Sequence, residues 1–164
     1  MNEDVFPARE GCLISLTASV AAGCVPCAGY YVDRARAAGV SDGEVREAIA
    51  AAESVRRLAT DDCVRRARRR LGDEADQQVA LHEPESEEDL LRWLAAAYAV
   101  NSHALVARLL DAALARQLPG EKLGEAVHIA RGVRGMALAI VERLLAREGA
   151  AAVEPDAPPS CVCG

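Results

Sequence analysis

Cys24 and Cys27 stand three apart in the stretch Gly23-Cys24-Val25-Pro26-Cys27, and four more cysteines follow or precede them: Cys12, Cys63, Cys161 and Cys163. Residues three apart share one face of a helix, at a Cα separation that a disulfide can bridge. Proline suits the first turn of a helix, where no N–H is needed. A helix starting at Val25 or Pro26 would place Cys24 at its N-terminus. There the free N–H groups and the helix dipole favour a thiolate. A low-pKa thiolate beside a resolving thiol can exchange disulfides or reduce peroxides. Two other readings compete. The pair could be two small buried apolar residues. It could also be half of a metal or metalloid site, since zinc takes four ligands and one Cys-x-x-Cys supplies two. Cys12 and the tail could complete such a site. The histidines, His82, His103 and His128, lie in the other half of the chain.

The elements that would position this pair are helical. The chain has 164 residues, of which 51% are hydrophobic and only 3% aromatic. Ala and Leu carry most of the apolar share and β-branched runs are absent, which predicts an all-α protein packed through small side chains. The net charge of -6 argues against general nucleic-acid binding. No apolar stretch reaches about 18 residues, so no membrane span is expected. The N-terminus has no apolar signal-peptide core, which leads us to expect a cytoplasmic protein. Cysteines in such a setting point to redox chemistry or metal more than to a static disulfide frame. No cofactor is expected.

A shift of 78 residues lays Ala37–Ile49 on Ala115–Val127 with matching apolar positions, and lays Cys24 and Cys27 on Ser102 and Leu105. The expected organisation is a repeat over 1–71 with the Cys-x-x-Cys, a second repeat over 72–148 without cysteines that shares its core, and a Pro-rich tail over 149–164. Helices are predicted over about 9–22, 25–38 and 42–58, and then a separate basic helix from Thr60-Asp61-Asp62 to about 71. Ser41-Asp42-Gly43-Glu44 reads as a capping box. In the second copy helices are predicted near 87–100, 103–116 and 120–147, the last with Gly132 and Gly135 as candidate breaks.

The stretch from Glu10 to about Leu58, containing LISLTASVAAGCVPCAGYYVDRARAAGVSDGEVREAIA, resembles the carboxymuconolactone decarboxylase family. Within that family it is most similar to the alkylhydroperoxidase D branch. The resemblance implies a duplicated all-α oligomer, a homotrimer or hexamer. It implies a working cysteine pair that reduces peroxides or disulfides with electrons from a thiol reductant protein or small dithiol. The family places a glutamate twelve residues before the first cysteine and a histidine four after the second; here Cys12 and Tyr31 stand at those positions, and Pro26 at a second histidine position. The family's proton relay is therefore not carried over, while thiol–disulfide exchange is. The resemblance assigns Cys27 as the attacking cysteine, whereas the helix-terminus argument favours Cys24. The alternative classes are a metal or metalloid binder using the same thiols and an inactive oligomeric scaffold.

Other residues are read more plainly. Tyr31 is expected to pack, with a hydrogen bond to a thiolate as the alternative, and Cys63 to be buried or half-exposed. Trp93 should fill the core. The run Arg56, Arg57, Arg65, Arg66, Arg68, Arg69, Arg70 reads as a solvated helix face. Cys161 and Cys163 end a proline-stiffened linker, and their placement predicts a mobile dithiol that shuttles electrons to Cys24.

Overall fold

The computed structural model describes residues 5–73 and 84–147. Six helices follow in order: α1 (Ala8–Ala22), α2 (Val25–Ala37), α3 (Asp42–Leu71), α4 (Glu87–Ala99), α5 (His103–Ala115) and α6 (Gly120–Arg147). No strand occurs among the described residues.

α1 and α4 form the centre. Residues 11–19 of α1 and 90–97 of α4 are buried without interruption, so both helices are covered on every side. Covering a helix this way is costly for unmatched polar groups; on α4 the buried Arg92 meets Glu88 and Asp89 with its terminal nitrogens and leaves Nε without a partner. On α1, Ser15, Thr17 and Ser19 avoid that cost by donating to the carbonyls of Gly11, Leu13 and Ser15 at 2.7, 2.8 and 2.7 Å. α1 packs on α4, on α2 and α3 of its own half, and on α6; α4 packs on α5 and α6, and on α3. Phe6, Ile14, Val55, Leu90, Leu94 and Val133 are fully enclosed between them, and Trp93 lies in the same core as expected.

Local geometry repeats across the two halves. α2 and α5 begin at 25 and 103, and α3 and α6 at 42 and 120, a spacing of 78 in both cases. The backbone turns left-handed at Gly23 (φ 73°) and Asn101 (φ 59°), and again at Gly39 (φ 79°) and Gln117 (φ 57°). The hydrogen bonds that close these turns repeat as well. Cys24 N–H donates to Ser19 O at 3.1 Å and Ser102 N–H to Ala97 O at 3.0 Å; Val40 N–H donates to Ala35 O and Leu118 N–H to Ala113 O, both at 3.0 Å.

Two expected breaks are absent. α3 runs unbroken through Thr60-Asp61-Asp62, so there is no separate basic helix. Residues 44–71 contain neither Gly nor Pro, and a capping residue starts a helix only where the preceding one has ended. Asp62 instead pairs with Arg65 one turn on. α3 stops at Gly72 (φ 85°), after three arginines that complement the helix dipole. α6 likewise passes through Gly132 and Gly135 without a break. The capping box at Ser41 is present: Ser41 N–H donates to Glu44 Oε2 at 3.0 Å and Glu44 N–H to Ser41 Oγ at 3.3 Å. Ser86 and Asp89 build the same box at the start of α4.

Candidate redox site

The chain reaches Cys24 through a tight reversal. Gly23 ends α1 in the left-handed conformation, and Cys24 is the N-cap of α2 in an extended one. Its Sγ accepts a hydrogen bond from the Cys27 backbone N–H at 3.3 Å. The sulfur thus takes the position that a Ser or Asp oxygen takes in an ordinary cap, directed at the positive end of the helix dipole. Pro26 lies in the first turn, as expected. Cys24 and Cys27 are joined by a disulfide across a Cα separation of 5.3 Å.

Both cysteines are buried, at 7% and 6% exposure, although Val25 between them is 82% exposed. Burial and pairing coexist because the two side chains turn inward from the same helical face while Val25 and Pro26 cover the surface.

Arg56 on α3 reaches back to this corner. Its guanidinium donates from Nη1 to Val20 O at 3.1 Å, on the last turn of α1. A Cβ at Gly23 would lie 3.0 Å from the same nitrogen. One cation therefore packs on the residue immediately before Cys24 and adds a second donor to the Val20 carbonyl, which also accepts from Gly23 N–H at 3.1 Å.

The two residues at the family's relay positions come together one turn from the pair. Cys12, 4% exposed on α1, and half-buried Tyr31 on α2 line a pocket of about 250 Å³ with Ser15, Tyr30, Arg34 and His128. Burial pushes the Tyr31 phenol up from its ordinary value, opposed by its hydrogen bond with Ser15. Tyr31 also packs against both apolar clusters, so its expected packing role is met, and its polar partner is Ser15. Cys24 and Cys27 do not line this pocket. Cys12 stands on the α1 side of this pocket.

Other expected residues fall elsewhere. Cys63 is exposed on α3 and lines a second pocket, of about 410 Å³, with Arg56, Thr60, Asn101 and Ser102. This corrects the expectation of a buried or half-exposed thiol: α3 has left the core by that turn, and Ala59 is its last buried residue. His103 is exposed at the start of α5. Cys161, Cys163 and His82 lie outside the described residues. Among the described residues no group of three or more His, Cys, Asp or Glu is placed to hold a metal ion. No helix among them is long and apolar enough to cross a membrane.

Ser15 and Arg34 were not singled out from sequence, Arg56 stood only in a run read as a solvated helix face, and His128 only as a histidine of the other half. Arg34 follows Tyr31 by three residues and could have been found on helical spacing. His128 is brought to the pocket only by the packing of α6. No curated protein and no solved structure matches the chain. The segment that holds α1, α2 and the cysteine pair, residues 1–61, matches the Carboxymuconolactone decarboxylase family, which bears out at family level the resemblance read from its residues.

Proposed function

We propose that the chain is a thiol–disulfide oxidoreductase of the alkylhydroperoxidase D kind, with Cys24 and Cys27 as its redox pair. The observation that carries this reading is the pairing of the two cysteines at the N-terminus of α2, where Cys24 Sγ accepts from the Cys27 N–H. In the reduced form that N–H and the helix dipole favour a Cys24 thiolate. The thiolate attacks a disulfide substrate, one thiolate leaves, and a mixed disulfide forms. Cys27 then attacks Cys24 Sγ and releases the second thiolate. Two electrons pass to the substrate and the Cys24–Cys27 disulfide remains, to be reduced by a thiol protein or small dithiol.

Peroxide reduction is the weaker arm of the proposal. It needs a proton for the leaving alkoxide, and the family's glutamate and histidine positions hold Cys12 and Tyr31. Tyr31, with its proton held more tightly than an ordinary phenol's, is a poor donor and a poor base.

The two halves are read here as copies of one unit. The paired left-handed residues and turn hydrogen bonds at a spacing of 78 support this. Cys161 and Cys163 are assigned the shuttle role from their sequence placement, and the assembly is taken to be a homotrimer, by family resemblance. A cytoplasmic location fits a pair that must be reduced in each cycle.

Steady-state reduction of a small aromatic disulfide by the wild-type protein and by C24S and C27S tests the reading. Loss of turnover in both variants is expected. Full turnover in both would leave the pair a structural staple. Deleting residues 150–164 should slow turnover only with a protein disulfide; equal slowing with a small one would remove the shuttle role.

A further inference from the structure

The pocket beside the redox pair has a charge character unlike that of the chain around it. The chain carries a net charge of -6, and a pocket of about 490 Å³ where α3 meets the start of α4 has Glu47, Glu85 and Asp89 in its wall. The pocket between α1, α2 and α6 has no acidic residue in its wall, and it has Arg34 and His128. The exposed Arg34 side chain forms no ion pair or hydrogen bond among the described residues, as is true also of Arg57, Arg66 and Arg108, and of these four Arg34 is the one in this pocket's wall. An unpaired guanidinium at a partly apolar concavity is a ready partner for a carboxylate, which it meets with two parallel N–H groups. The raised Tyr31 phenol stays protonated near neutral pH and adds no opposing charge. Besides Cys12, Ser15 and Gly132, the remaining wall is apolar: Ile129, Val133 and Met136 from α6, and the Tyr30 ring, which meets Tyr31 edge to face at 5.1 Å.

We infer that this pocket binds a small organic monoanion, a carboxylate on an apolar body of about one ring, with Arg34 and His128 holding the carboxylate and Tyr30, Val133 and Met136 holding the body. The volume, about 250 Å³, falls below the usual range of about 300–1,000 Å³ for ligand sites, which limits the body to that size. The site draws on both halves of the chain, because His128 and Met136 belong to α6. As the substrate class of the redox site, the inference rests on the function proposed above: the pocket's Tyr31 stands one helical turn, about 6 Å, beyond Cys27.

Two experiments separate the binding site from the chemistry. The first titrates the redox-dead C24S/C27S protein with benzoate and with benzamide, which match in shape and differ in charge, and follows the Tyr30 and Tyr31 resonances by NMR. Benzoate is expected to shift them and to bind at least about tenfold more tightly than benzamide, and R34A or H128A should remove most of that preference. R34K should restore part of it. Equal binding of both probes, or benzoate binding untouched by R34A, overturns the site. The second measures wild-type reduction of dithiobis(nitrobenzoate), an anionic disulfide, against dithiodipyridine, a neutral one. A preference for the anion, read as the ratio of the two rates, that falls in R34A assigns the pocket to the redox site. No preference in a protein that reduces both overturns the substrate class and leaves the redox function standing. Benzoate binding with no reduction of either probe keeps the pocket and overturns the redox function.

Discussion

The Arg134 guanidinium donates to the Asn101 side-chain oxygen at 3.1 Å, at the place in the second half where Arg56 lies over Gly23 in the first. Both corners turn left-handed and both are held by an arginine 33 residues on. The difference is what sits under the arginine. Asn101 offers an acceptor, while Gly23 offers only room, and Arg56 uses it to reach the Val20 carbonyl. Asparagine tolerates the left-handed region and β-branched residues do not. We therefore expect Gly23→Asn to cost less than about 1 kcal/mol, with Arg56 shifting onto the new oxygen, and Gly23→Val to cost about 1–3 kcal/mol from backbone strain and contact with Arg56. Urea unfolding of the two variants checks the ordering.

Much of this arrangement was legible in sequence because it is local. The shift of 78 aligned the helices, and it also sets Arg56 on Arg134, a signal that would have singled out the corner arginine. Ser41 and Glu44 announced their cap, and Pro26 the start of α2. What stayed hidden depends on packing. No local pattern says that α1 and α4 are enclosed on every side while α2, α3, α5 and α6 are not. Thr60-Asp61-Asp62 looked like a helix start because the residues before it do not say whether the chain has turned. His128 and Arg34 share a pocket only because α6 crosses the first half, and Cys63 is exposed because α3 outruns the core at Ala59.

Cys24 acts as a cap as well as a thiol, and the two roles can be separated. With both proteins reduced, Cys24→Ser keeps an acceptor for the Cys27 N–H, as Ser is among the better N-caps. Cys24→Ala leaves that donor unmet, and we expect it to be about 1 kcal/mol less stable than Cys24→Ser. Neither variant should turn over a disulfide. Equal stability of the two would mean that the sulfur contact at 3.3 Å contributes nothing to the helix start.

Gly135 lies inside α6 with no heavy atom within 4 Å of where a Cβ would stand. Its φ is not left-handed, so alanine fits without strain. Gly135→Ala should raise stability by about 0.4–1 kcal/mol, chiefly by restricting the unfolded chain. Thermal unfolding by circular dichroism reads this directly, and a loss of stability would place another surface against that turn.

Beyond Val133, α6 carries Leu138, Val141 and Leu145 on one face, at 60%, 52% and 53% exposure. The spacing of three and four residues makes one stripe, of the kind helices bury against a partner. If the proposed assembly uses it, Leu138→Glu with Leu145→Glu should reduce the solution mass toward the 17.3 kDa of one chain and leave helix content unchanged. Light scattering of the wild-type protein at micromolar concentration should give a multiple of that mass. A wild-type monomer would end the assembly proposal.

Glu10 and Glu44 respond to pH in opposite senses. Glu44 is held down to about 2 by the Ser41 hydroxyl and backbone N–H and by Arg9. A carboxyl depressed in the folded state adds stability above its unfolded value of about 4.5, and that stability is lost as pH falls toward 2. Glu10 is raised, first by burial and then by Glu88 on the neighbouring central helix. Its ionised form is disfavoured by folding, so it weakens the protein at neutral pH, and the cost disappears as pH falls through its raised value to below 4.5. Glu10→Gln should therefore stabilise the protein at pH 7 and lose that advantage near pH 4. Glu44→Gln should destabilise it at pH 7, and the gap to wild type should close between pH 4.5 and 2. Urea midpoints of the three proteins at pH 7, 4 and 2.5 decide both signs. An advantage of Glu10→Gln that persists undiminished below pH 4 would show that its effect is not the carboxylate charge.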